Sequence, residues 1–126
     1  MSNYVSIPVN PMGAVRQTRR DVWKKRPCVE KYHAFRDTLR HYSQTFDFLL
    51  SDSFKIVFYI PMPKSWSKKK TIKMYNTPHN QKPDIDNLVK AVMDALMTDD
   101  KKVWKILAEK RWAFEGEIYI KNNGVD

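Results

Sequence analysis

Ile85, Leu88, Val89, Val92, Met93 and Leu96 recur at steps of three and four. That spacing keeps them on one face of an α-helix and predicts about three amphipathic turns. Tyr32, Phe35, Leu39 and Tyr42 predict a second helix from Val29 to about Tyr42, with Arg36, Arg40 and His41 among the remaining positions. Phe54, Ile56, Phe58 and Ile60 alternate with Lys55, Val57 and Tyr59, which predicts a central strand stopped by Pro61 and Pro63. Tyr4 to Val9 reads as a short first strand whose Pro8 suits an edge or a strand end. Val103 to Trp112 and Glu117 to Lys121 read as two more strands, joined through Phe114-Glu115-Gly116 into a hairpin. These elements amount to an α+β (mixed α/β) domain of about four strands and two main helices.

Periodicity disappears over residues 10–27 and 64–83, which therefore read as surface loops, both basic. The first gathers Arg16, Arg19, Arg20, Lys24, Lys25 and Arg26 around Trp23 and reads as a mobile loop. Contact with nucleic acid and a solvated charge run account for it equally well. The second carries Lys64, Lys68, Lys69, Lys70, Lys73 and Lys82 and delivers the chain to the Ile85 helix.

Composition narrows the picture. The 126 residues suit a single domain spanning 1–126, and 42% hydrophobic residues with only three glycines indicate a packed core without long disordered tracts. A formal charge of +9 favours an acidic partner, nucleic acid ahead of a membrane. The lone Cys28 excludes an intrachain disulfide and fits a reducing compartment. No signal-peptide pattern opens the chain and no apolar run approaches the roughly 20 residues of a membrane span, so a cytoplasmic protein is expected.

Against this basic background, Asp84 and Asp86 are out of place. No acid occurs from Ser53 to Pro83, and then two carboxylates arrive together beside the lysines. Alone they repel a polyanion, but a divalent cation held between carboxylates and phosphate reverses that effect and is the usual apparatus of phosphodiester hydrolysis. Helix capping explains Asp84 and the macrodipole welcomes Asp86, but neither accounts for Lys90 and Asp94 continuing the same face or for Asp99-Asp100 following the helix. Lys90 suits either charge neutralisation at a phosphate or an ion pair with Asp86 and Asp94. A calcium loop counted from Asp84 fails, because Val89 and Ala95 stand where glycine and glutamate are needed. No glycine-rich phosphate loop exists, so no nucleotide cofactor is expected, and His33, His41 and His79 lack zinc-ligand spacing.

Pro63-Lys64-Ser65-Trp66-Ser67-Lys68-Lys69-Lys70, Pro78-His79, Lys82-Pro83-Asp84-Ile85-Asp86-Asn87-Leu88 with Lys90 and Asp94-Ala95-Leu96, and Asp99-Asp100 together resemble the RusA family of Holliday junction resolvases. The resemblance runs from about Phe54 to Ile120 and implies a small mixed α/β fold with one mixed sheet. It also implies a homodimer, often phage or prophage encoded in a bacterial host, that nicks four-way DNA junctions in pairs during recombination and repair. Carried over by position, Asp84, Asp86 and Asp100 match the metal-binding aspartates and Lys90 the essential lysine. Mg²⁺ is the implied cofactor, with Mn²⁺ as substitute. Asp99 and Asp94 stand as additional candidates, because only Met97-Thr98 separate Leu96 from the Asp-Asp pair where many members carry more residues. Arg16, Arg19, Arg20, Lys24, Lys25, Lys64, Lys68, Lys69, Lys70 and Lys82 are the expected DNA contacts. The alternatives are a non-catalytic DNA-binding accessory protein and a nuclease directed at flaps or forks. Trp23 and Trp66 are left open between wedging a junction and packing, and Trp104 is expected to pack.

Overall fold

The computed structural model of the chain describes residues 2–15 and 26–123. The elements run β1 (Tyr4–Ile7), α1 (Pro27–Thr45), β2 (Ser53–Pro61), α2 (Lys68–Met74), α3 (Ile85–Leu96), a 3₁₀ turn (Asp100–Lys102), β3 (Lys105–Ala113) and β4 (Glu117–Asn122). The strands form one mixed sheet in the order β1-β4-β2-β3. β2 runs parallel to β3 and antiparallel to β4, and β4 is antiparallel to β1. The α+β architecture, the edge position of β1 and the central position of β2 all follow the sequence pattern.

One face of the sheet carries α1 and α3. Val5, Ile7, Phe54, Ile56, Phe58, Ile118 and Ile120 meet Tyr32, Phe35 and Leu39 of α1 and Leu88, Ala91, Val92 and Ala95 of α3 in a single core. Of the predicted α3 stripe, Leu88 and Val92 are buried together with Ala91 and Ala95, Val89, Met93 and Leu96 are partly buried and Ile85 is exposed; α1 buries Tyr32, Phe35 and Leu39 with Val29 added, and Tyr42 is partly buried. The opposite face is partly open, with Tyr4 and Tyr119 in ring contact at 6.1 Å.

Three expectations change. The last two strands are not a hairpin, because β2 lies between β3 and β4 and pairs with both. β2 ends at Pro61, so residues 114–116 cross over its end. That link spans two strand spacings, about 9.6 Å, which three residues reach easily. Gly116 permits the crossing: a Cβ there would fall 2.6 Å from the Asn10 Cα. The stretch 64–83 is not wholly loop, since Ser67 accepts a hydrogen bond from Lys70 N at 3.1 Å and starts the seven-residue helix α2. Trp104 is 71% exposed rather than buried among the described residues. The basic run from Arg16 to Lys25, with Trp23, lies outside the described residues.

Beyond α2 the chain returns to the sheet. Asn76 N donates to Trp112 O, Trp112 N to Thr77 O and His79 N to Lys110 O, so residues 76–79 cover the outer edge of β3 at its C-terminal half. The His79 ring lies 4.1 Å from Trp112, and Trp112 lies 4.8 Å from Trp66. Trp66 therefore packs, and Lys70 Nζ sits 4.3 Å above its ring.

Replacing the fully buried Leu88 with alanine is expected to cost about 2–5 kcal/mol, read as a lower denaturant midpoint with unchanged slope. His79 sets a pH dependence. Burial, reinforced by the charge of Lys110, holds its imidazole below the ordinary pKa of 6.5. Below pH 6.5 the unfolded chain takes up a proton that the folded chain refuses, so this stability is complete above 6.5 and declines as pH falls toward the folded pKa. Thermal melts at about pH 7.5 and about pH 5.5 should show a smaller drop for His79→Gln than for the parent chain, and equal drops would remove His79 as the cause.

Candidate nucleic-acid cleavage site

The acidic motif is delivered by a turn held from the sheet. Lys110 Nζ donates to Gln81 O at 2.6 Å and to Pro83 O at 2.8 Å, the latter being the carbonyl that immediately precedes Asp84. The Lys82-Pro83 peptide between these contacts is cis. Asp84 then takes the N-cap position of α3 with extended backbone, and its carbonyl accepts from Leu88 N at 3.1 Å. Its carboxylate makes no capping hydrogen bond to the helix. Capping thus explains the backbone position of Asp84 and leaves its side chain unaccounted for.

Asp86 lies in the first turn, where its carboxylate accepts from Asn87 N at 2.9 Å. Lys82, Pro83, Asp84, Asp86 and Asn87 line one open cleft. Across the first turn of α3 runs the segment after β1: Ala14 N donates to Asn87 O at 3.2 Å and Asn87 Nδ2 to Ala14 O at 3.3 Å. Gly13 is needed there, since a Cβ would lie 2.4 Å from Asn87 Nδ2. The chain leading to Arg16 is therefore fastened beside the two aspartates.

The remaining candidates lie along α3 and in the 3₁₀ turn that follows it. Lys90 is exposed one turn beyond Asp86, and no ion pair among the described residues joins it to Asp86 or Asp94. Asp94 turns toward α1, accepting from Tyr32 Oη at 3.2 Å, and lines a different cleft with Arg40 and Ser43. Burial and the neighbouring Asp94 carboxylate raise the Tyr32 phenol above its ordinary pKa. Asp99 caps the 3₁₀ turn, accepting from Lys101 N at 3.3 Å with Lys101 Nζ at 3.8 Å. Asp100 is exposed in that turn, beyond the C-terminal end of α3. With twelve residues in α3, its two ends stand about 18 Å apart. The structure thus brings Asp84 and Asp86 together and keeps Asp99 and Asp100 at the other end. Among the described residues no group of three or more His, Cys, Asp or Glu side chains is set to hold a metal ion.

Two hard carboxylates suit a magnesium-type cation, which takes one or two such ligands and completes its shell with water and substrate phosphate oxygens. The uncapped carboxylate of Asp84 is the structural observation that fits this role. Lys64, Lys68, Lys69, Lys70 and Lys82 are all exposed. Lys110 was missed by the sequence reading. Its signal is a charged residue in the otherwise apolar alternating row Ile106, Ala108, Lys110, Trp112. Among the described residues no helix is long and apolar enough to cross a membrane.

No curated protein matches the chain. The family model described as Endodeoxyribonuclease RusA matches residues 8–122, nearly the whole chain, and the match takes in the acid pair, the lysine-rich segment and the Asp99-Asp100 turn. The chain belongs to the RusA family of endodeoxyribonucleases, hydrolases that act on DNA.

Proposed function

We propose that this protein is a Mg²⁺-dependent resolvase of four-way DNA junctions, with Asp84 and Asp86 at its cleavage site. The family implies Holliday junction resolution on branched DNA, and its resolvases are generally divalent-metal dependent. The observation that carries the reading to these residues is the carboxylate of Asp84, exposed and without a capping bond, beside Asp86 in one cleft.

Asp84 and Asp86 hold the divalent cation, which when bound supplies charge neutralisation at the scissile phosphate and acidification of the attacking water. The same two carboxylates orient that water and, without the cation, keep phosphate away. Lys90, one turn along α3, places its ammonium where charge gathers on the phosphate. Water attack with departure of the 3′ oxygen leaves 5′-phosphate and 3′-hydroxyl ends.

DNA is held by the basic surface. Lys68, Lys69 and Lys70 occupy the first turn of α2, where the macrodipole disfavours cations, and α2 buries no residue of its own. Folding gains little from that placement, whereas a phosphate backbone laid across it offsets the charge. Arg16, Arg19, Arg20, Lys24 and Lys25 continue from the segment fastened at Asn87 and are assigned to the same duplex arms.

A four-way junction has approximate two-fold symmetry, so a C₂ homodimer with one acid pair per subunit cuts two opposed strands. Asp100 stands as the third carboxylate. Since it lies at the far end of α3 from Asp84 within one chain, its participation requires the dimer. The role is in recombination and repair in a bacterial cytoplasm, the gene being of phage or prophage type.

Incubation with a labelled four-way junction and a matched linear duplex tests the reading. Paired, metal-dependent nicks confined to the junction are expected, and binding without nicks in Mg²⁺ or Mn²⁺ would instead indicate an accessory protein. Cleavage of flaps or forks in preference to junctions would reassign the substrate. Asp84→Asn should lower the cleavage rate by at least about 100-fold while junction binding holds or tightens, because a carboxylate facing phosphate has been removed. A variant that still nicks at the parent rate sinks the assignment of Asp84.

A further inference from the structure

β3 pairs in register with β2 so that Ile106, Ala108, Lys110 and Trp112 stand opposite Phe54, Ile56, Phe58 and Ile60. Cross-strand partners share a face of the sheet, and Phe54, Ile56 and Phe58 face the core under α1 and α3. Lys110 therefore rises on the helix side, in a row where an apolar residue is the simple solution. An ammonium placed there needs partners, and it finds the carbonyls of Gln81 and Pro83 at 2.6 and 2.8 Å. Its own carbonyl accepts from His79 N at 2.9 Å. One strand residue thus grips residues 79–83 with both its backbone and its side chain.

We infer that Lys110 is the positioning residue of the acid pair. The inference takes the nuclease reading of Asp84 and Asp86 as its premise. Asp84 is the N-cap of α3, so the direction of its carboxylate depends on where the Pro83 carbonyl and the following peptide are held. The helix holds Asp84 by its carbonyl, which accepts from Leu88 N, but it makes no contact of this kind with the Pro83 carbonyl on the other side of the residue. Lys110 holds that carbonyl from β3, which is paired along its whole length with β2. Lys110 touches neither substrate nor metal in this role. It sets the approach of a residue that does.

A plain stability role is the competing explanation, and the two separate in experiment. Lys110→Met removes the ammonium at nearly constant length, and Lys110→Arg restores charge and donors. Amide hydrogen exchange on the metal-free protein should accelerate about 10-fold over residues 81–88 in Lys110→Met, with the strand amides unchanged. Cleavage of a four-way junction at limiting Mg²⁺ should fall about 10- to 100-fold, with junction binding kept and Lys110→Arg recovering most of the rate. Unchanged exchange at 81–88 overturns the inference. So does local acceleration with a parent rate, or acceleration spread evenly through the sheet with no rescue by arginine. Should Lys110→Met not melt cooperatively, Lys110→Gln takes its place under the same criteria. A parent protein that cuts no DNA defeats the nuclease reading instead, and the exchange comparison still decides whether Lys110 holds the turn.

Discussion

The burial of one stripe of α3 is the interaction on which the rest of this molecule depends. Leu88, Ala91, Val92 and Ala95 insert between α1 and the sheet, and this alone sets the rotation of the helix about its axis. Once that rotation is fixed, Asp86 and Lys90 must face outward while Asp94 must turn toward Tyr32. Three charged residues at four-residue spacing drift by about 40° per step on an ideal helix. Over two steps that drift is enough to take Asp94 out of the Asp86 cleft and into the one beside Arg40. The polar face read as continuous in the sequence is divided by the same packing that creates it.

What the sequence disclosed follows from how local each determinant is. The existence and extent of α3 were legible, because a strong apolar stripe of about three turns, Pro83 before its start and an aspartate at the N-cap all agree. β2 was legible through its alternation and its terminal proline. The partner of β3 was not. A three-residue link between two strands ordinarily signals a hairpin, and here β2, distant in sequence, ends at Pro61 level with the end of β3, so that the link passes over it. The exposure of Trp104 was equally hidden, since its place beside an open stretch of the β3 edge depends on strand order.

The candidate site divides in the same way. Asp84 and Asp86 could be seen because charge contrast is a local property: acids following an acid-free, lysine-rich stretch stand out without any fold. The Lys110 contacts join residues 27 and 29 positions apart in the chain, and their acceptors are backbone carbonyls that carry no sequence signature. The fastening of Asn87 to Ala14 spans 73 positions and leaves only a glycine as its trace. Residue identity singled out the acid pair, while the groups that hold its turn in place became visible only in the fold.

On the proposed reading, this division also explains how a strongly basic chain tolerates an acid pair on its DNA-binding side. The lysines of α2 are carried by a short helix with no buried residue, whereas Asp84 and Asp86 stand at the start of a helix that buries four residues and are approached through a turn tied to the sheet. On that reading, the exposed lysines meet phosphates one by one, and each such contact is worth little alone and is geometrically undemanding. Carboxylates that must share a cation with a single phosphate have no such latitude, as a displacement of about 1 Å is enough to lose most of the rate. On the same proposed reading, the acid pair is therefore the part of the basic face that is tied to the core and the sheet, whereas the lysines of α2 ride on a helix that buries no residue.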